Sequence, residues 1–368
     1  MSRFTGIGHR LYAGEVSYDF MARRRTWYTV SAIILLVAIG SLVFRGLNFG
    51  IEFRGGADFT LPNATCTVEQ AQTTAEAFTG SQTIVTESAN GNVRVQTQTL
   101  TPAQSSELSV LLGETCGVAT GDITVQVVGP TWGAEISQKA LQGLVVFLIL
   151  VTIFLSIYFE WRMAIAALLA LAHDIVITVG IYSLTGLEVT PATVIGLLTI
   201  LGYSLYDTVV VFDKVKENTR GIAGQSVMTY SEAANLAVNQ TVVRSINTSI
   251  VALLPVLAII VVGAGFLGAG TLLDLAVVLF IGMAAGTYSS IFFATPFLAQ
   301  LKERQPEMKA LSARVAARRK AGRGGSSAEA TATADGTAVV APTQSSLTRT
   351  ESMTRQQPKR QARSKRKG

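Results

Sequence analysis

Long apolar blocks separated by short polar breaks dominate the chain. Six blocks approach the roughly 20 residues that a helix needs to cross a hydrocarbon core. They run over about 27–44, 140–159, 163–184, 191–213, 247–267 and 271–294. No small-residue cleavage site follows the first block; "FRGLNFG" does, which predicts an uncleaved signal anchor. Between the first and second blocks the pattern changes to short elements. "IEFRGGADFTL" reads as a strand and "TVEQAQTTAEAFT" as a helix. "QTIVTESA" and "NVRVQTQT" read as strands joined across Asn90-Gly91, a hairpin signal. "TPAQSSELSVLLGETC" places Pro102 at the first helical position after Thr101 as cap, and "DITVQVVG" closes the set. The order β-α-β-β-α-β predicts a ferredoxin-like split βαβ unit.

Charge supplies the orientation. Arg23, Arg24 and Arg25 abut the first block, so its N-terminus is expected inside. Alternation then puts all but four of the 30 Lys and Arg residues inside. The segment 45–139 falls outside, with nine acids against four bases. The net charge of +6 therefore reflects topology and argues little for nucleic acid binding. Apolar residues make up 49% and charged residues 15% of the chain, far from the quarter or so charged that is typical of soluble domains.

The expected fold class is an α-helical polytopic membrane protein of six transmembrane helices, with an α+β ferredoxin-like extracytoplasmic domain between helices 1 and 2. The expected divisions are an N-terminal segment 1–26, the first span 27–44, the outer domain 45–139 and helices 2–6 over 140–305. An amphipathic cytoplasmic segment, 214–246, interrupts that last region, and a cytoplasmic tail covers 306–368. In 214–246, Thr229-x-x-Glu232 fits a capping box opening a short surface helix, a connector or a partner-binding element. From about 321 the chain has almost no large apolar residues and is expected to be disordered. It ends "PKRQARSKRKG", which can touch membrane lipid or ribosomal RNA, or simply be solvated.

The two cysteines, Cys66 and Cys116, fall at the start of the first helix and the end of the second. In the expected topology these are neighbouring points, on the oxidising side of the membrane. They read as a disulfide, or else as two small unpaired core residues. No metal-ligand spacing, nucleotide-binding loop or catalytic triad spacing is present, so no cofactor is expected and an enzyme is disfavoured.

Ionisable residues inside spans are costly and therefore candidates for function. His173 and Asp174 lie mid-span in the third block, suited to a proton relay or to a buried polar pair. Asp207 lies seven residues before Lys214, about 10 Å up the helix from the cytoplasmic edge. Asp213 at that edge and Asp274 near the outer end of the sixth block read as interfacial. Arg244, where the fifth block begins, is the expected partner of Asp207, because antiparallel helices bring both near the inner side. Gly196, Gly202, Ser204, Gly282 and Gly286 read as close-packing positions, and Pro255 permits a kink.

Several stretches resemble the SecF family of the bacterial Sec protein-export machinery. They are "YDFMARRRTWY", "LNFGIEFRGG", "LAHDIVIT", "GYSLYDTVVVFDKVKENTR" and "RSINTSIVALLP", in order over about residues 10–305. The resemblance implies a half-transporter of the resistance-nodulation-division type that pairs with SecD, works beside the SecYEG channel and acts on the translocating polypeptide. It implies that Asp207 and Arg244 lie on a proton pathway coupling inward proton flow to motion of the outer domains. Tyr206 departs from the family pattern, where Asn precedes the Asp, so the hydrogen-bond partners of Asp207 do not carry over. A proton-driven efflux half-transporter for lipid or solute, and a non-conducting scaffold, are the alternatives.

Overall fold

The computed structural model describes residues 17–87, 91–263 and 270–331. Asn90 of the expected hairpin, most of the turn near 264–270 and the terminal basic stretch lie outside the described residues. The strap Ser17–Met21 precedes the first helix and lies across a later one. There Asn239 and Asn235 accept from the backbone N–H groups of Tyr18 and Phe20, both at 2.8 Å. Both amides also donate to the Tyr18 carbonyl. The first spanning helix, α1, is Arg24–Arg45 and stops at Gly46, whose φ of 70° ends the helical path.

The sheet domain follows. β1 (Asn48–Phe49) leads into a single turn, α2 (Ile51–Arg54), then β2 (Gly56–Leu61). The expected continuous strand 51–61 is thus broken. Gly55 and Gly56 take φ of 78° and 150°, conformations that only glycine adopts cheaply, and the chain turns there. α3 (Val68–Thr79) and α4 (Pro102–Cys116) both open with Thr capping boxes and close on left-handed glycines. With β3 (Ile84–Glu87), β4 (Val93–Thr97) and β5 (Thr124–Val128), the antiparallel sheet has the order β3-β4-β2-β5. That is the split βαβ order, with β2 central and almost wholly buried. Phe59, Leu61, Val93, Val95, Leu108 and Leu112 fill the space between sheet and helices. Cys66 and Cys116 are joined as a disulfide with a Cα separation of 4.4 Å.

The remaining helices are longer than the apolar blocks. α5 (Pro130–Tyr158) begins ten residues before the expected span. Its Gly133 lies against the α2 backbone, where an added methyl would come within 2.5 Å of the Phe53 carbonyl oxygen. α6 (Trp161–Thr185) and α7 (Pro191–Asn218) are joined through β6 (Glu188–Val189), which pairs in parallel with β1. Arg94 of β4 reaches Glu188 at 2.8 Å, so the α6–α7 link is tied to the sheet domain by backbone and by charge.

α8 (Tyr230–Val262) corrects the reading of 214–246. The capping box at Thr229 and Glu232 opens one unbroken 33-residue helix, about 50 Å long, instead of a separate surface helix. Ala233, Ala234, Ala237 and Val238 are fully buried, so this first half packs as core. Pro255 lies inside the helix without ending it. The sixth span is composite: α9 (Gly270–Tyr288), a π-helical turn (Ser289–Ala294) and α10 (Thr295–Glu303). α11 (Pro306–Thr331) continues past residue 321, where disorder is expected, and across three glycines, which composition does not explain.

Within their most apolar 18-residue stretches, about half of α6, α7 and the sixth span is buried, against under a fifth of α1, α5 and the second half of α8. α7 and α9 touch along a seam of small residues. Gly196 faces Val278, Ile200 faces Gly282 and Ser204 faces Gly286, and an added Cβ at these glycines would approach to 2.3, 2.4 and 2.8 Å. Gly202 differs from the packing role read for it. A methyl there would meet nothing within 4 Å, because Gly202 is turned to the outer face of α7.

Two outcomes follow from this architecture. Gly282→Ala is expected to lower stability by about 1–3 kcal/mol through overpacking, while Gly202→Ala in the unpartnered chain is neutral. Thermal unfolding of both variants in detergent checks this contrast. Replacing both cysteines by Ala removes the constraint on about 50 residues and is expected to destabilise the sheet domain by about 4 kcal/mol. Pulse proteolysis of that domain in urea measures the loss.

Candidate functional site

Two carboxylates occupy the middle of the inner helices, each held by serine hydroxyls. Asp174 on α6 and Asp207 on α7 are both buried. Ser245 of α8 donates to Oδ1 of Asp207 and Ser290 of the π turn donates to Oδ2, both at 2.6 Å. Ser204 of α7 donates to Oδ2 of Asp174 at 2.5 Å, and Ser289 donates to the same oxygen at 2.9 Å. Oδ1 of Asp174 lies 3.2 Å from Nδ1 of His173. The His173 ring stacks on Phe293 of the π turn, with centroids 4.7 Å apart, and its Nε2 is buried with no hydrogen-bond partner among the described residues.

Local structure explains how these groups meet. Ser204 and Asp207 are three residues apart, on one face of α7. Gly286 lets α9 come close enough for the π turn to reach both aspartates. Pro296 has no N–H to give to the helical ladder. The π turn ends just before it, and the Thr295 hydroxyl donates to the Ser290 carbonyl, five residues back, at 3.0 Å. Adjacent residues point about 100° apart in an α-helix and somewhat less in a π turn, still well separated. Ser289 and Ser290 therefore separate, one toward each carboxylate.

The chemistry suits a site that takes and gives protons. Three of the four serine contacts have the 2.5–2.7 Å length usual for a hydroxyl donating to a charged carboxylate. The same hydroxyl oxygen can accept from a protonated carboxyl group. Either protonation state can therefore be hydrogen-bonded without a cation.

Arg244 does not join this site. It is exposed, its Nη2 lies 3.5 Å from the Tyr206 hydroxyl, and it forms no ion pair among the described residues. The expected Arg244–Asp207 pairing is absent because the adjacent Ser245 faces Asp207, which turns Arg244 outward by one helical step. Tyr206 is likewise exposed, so its departure from the family pattern leaves the partners of Asp207 untouched. Arg244 lines an open groove of about 800 Å³ together with Asp213, Lys214, Gln240 and Asn247. Asp213 receives a 3.4 Å contact from the Tyr158 hydroxyl, and Asp274 accepts from Thr190 at 3.2 Å.

Ser204 reads from the sequence only as a small packing residue, and Ser245, Ser289 and Ser290 carry no charge that marks them in an apolar span. Two signals pointed to them: the i,i+3 spacing of Ser204 and Asp207, and the Ser289-Ser290 doublet inside an apolar span before a proline.

Comparison with known proteins places the chain. Residues 112–304 match the family described as protein export membrane protein SecD/SecF, C-terminal, and residues 40–62 match the SecD/SecF GG motif. The motif takes in Gly55 and Gly56, where the chain turns into β2. The protein translocase subunit SecF of Streptomyces coelicolor is 53% identical over 334 residues, 90% of each chain. That of Mycobacterium tuberculosis is 47% identical over 86% of this chain and 75% of its own length. The crystal structure of SecDF from Thermus thermophilus superposes with a TM-score of 0.70 at 31% identity. It matches 78% of this chain but only 39% of its own, so this chain spans about two fifths of that fused protein. With family matches over more than half its length and close relatives over nearly all of it, the chain belongs to the SecD/SecF family of protein-export membrane proteins.

Proposed function

We propose that the chain is an accessory subunit of the Sec protein translocase that uses the proton motive force to assist late stages of export. The observation that carries this reading is Asp207: a buried carboxylate inside an apolar bundle, held by two hydroxyls and, among the described residues, by no cation. A structural aspartate gains more from a fixed positive partner, whereas a proton carrier needs partners that serve both of its states. Asp174 and His173 extend the polar path across the bundle. A proton moving through 100 mV supplies about 2.3 kcal/mol. That is on the scale of the few kcal/mol that separate two conformations of one protein.

The partner is SecD. The fused Thermus relative carries the length that this chain lacks. The groove beside Arg244 puts an arginine and amides on the outside of the bundle, where a second six-helix half would cover them. Once covered, a turn of α8 by about one residue, roughly 100°, would exchange Ser245 for Arg244 at Asp207. In this scheme Arg244 discharges the site, and the sheet domain follows through the β1–β6 ladder and the Arg94–Glu188 pair. The Lys and Arg distribution supports an orientation with both termini in the cytoplasm and the sheet domain outside, where it would lie beside SecYEG and the emerging polypeptide.

Asp207→Asn in the full chain with SecD is expected to reduce late-stage export to the level seen without a proton gradient. Export that keeps its full gradient dependence in this variant would overturn the mechanism and favour a scaffold. Secretion assays on membrane vesicles, with and without an uncoupler, measure it.

A further inference from the structure

We infer that Ser289 and Ser290 are positioning residues that make the protonation of Asp174 and Asp207 mutually dependent, with the π turn as the shared element. This rests on the proton-pathway reading above and goes beyond it, because it assigns the coupling between the two carboxylates to one turn of the sixth span.

Each of these hydroxyls has two acceptors within reach. Ser289 donates to Asp174 at 2.9 Å, and the Gly286 carbonyl three residues back lies at 3.2 Å. Ser290 donates to Asp207 at 2.6 Å, and the Thr287 carbonyl lies at 3.2 Å. An ionised carboxylate draws the hydroxyl proton to itself. A protonated one can donate instead, and the serine O–H can then swing to its own helix while its oxygen accepts. The two serines are neighbours on one backbone, so any shift of the turn that accompanies one swing moves the other donor.

The turn is also joined to the rest of the bundle. Phe293 stacks on His173, and Phe292 packs on Trp27 of α1 at 4.3 Å and on Phe20 of the strap at 5.7 Å. π turns are rare and concentrate at functional sites. The titratable groups around Asp174 are His173, with Tyr288 stacked on that ring, and Tyr28 of α1 beyond Phe293. Around Asp207 they are Tyr203 and Tyr206 on its own helix and Arg244 on α8. The six residues of the π turn carry no ionisable side chain, so what the turn contributes is hydroxyl geometry.

The test is an infrared titration of the full chain reconstituted with SecD, following the carboxyl band that Asp207→Asn removes. Ser290→Ala takes a donor from the ionised form and is expected to raise the midpoint of Asp207 by about one pH unit. Ser290→Cys, close to isosteric and a weaker donor, shifts it in the same direction, and Ser290→Thr restores it. Asp174→Asn is expected to shift the Asp207 midpoint, and Ser289→Ala is expected to remove at least half of that shift. An unmoved midpoint in both Ser290→Ala and Ser290→Cys overturns the proposal. So does an Asp174→Asn shift of equal size with and without Ser289. The titration needs no export, so these outcomes are independent of whether Asp207→Asn abolishes gradient-driven secretion, which tests the functional reading alone.

Discussion

A carboxylate enclosed by apolar helices loses its water and must be given hydrogen-bond donors at close range. Around Asp207 and Asp174 those donors are hydroxyls from α7, α8 and the π turn. Much of the bundle geometry follows from this need. Hydroxyls are short, so the helices that carry them must approach closely. The seam of Gly196, Gly282 and Gly286 allows that approach, and a methyl at any of the three would push it apart. The widened turn before Pro296 then sends successive side chains to two different acceptors. Small residues, a proline and four serines together build what a single arginine would build more simply, but without a fixed charge.

The sheet domain solves a different problem. Its four-stranded part runs only from Gly56 to Val128, a size at which a hydrophobic core alone is marginal. Its helices are capped at both ends, its central strand is enclosed, and its disulfide closes the loop between the start of one helix and the end of the other. It is held to the bundle at the α6–α7 link, where backbone pairing and an ion pair coincide. A rigid unit on such a mount can transmit movement of α6 and α7 without deforming internally.

Much of this was legible in the chain. Six apolar blocks and the β-α-β-β-α-β pattern mark the fold, because burial and turn chemistry act locally and leave periodicity behind. Asp207 and Asp174 stood out because charge in an apolar run is conspicuous. The serines did not, since a hydroxyl is cheap anywhere and only three-dimensional proximity reveals its acceptor. Arg244 was legible as a residue and misplaced as a partner: helix spacing sets depth, but one residue of rotation decides which way a side chain points. The first half of α8 was misread for a related reason. Its alanines look surface-compatible in sequence, yet they let helices pack closely.

The strap at Ser17–Met21 has a consequence for how this region tolerates change. Asn235 and Asn239 hold it chiefly by its main-chain N–H and carbonyl groups, one helical turn apart on α8. Such a grip is indifferent to what projects from Tyr18 or Asp19 but sensitive to spacing. Length, more than identity, is what the junction between strap and α1 preserves. A residue gained or lost between Phe20 and Arg24 would leave both amides facing the wrong atoms and draw Phe20 off Phe292.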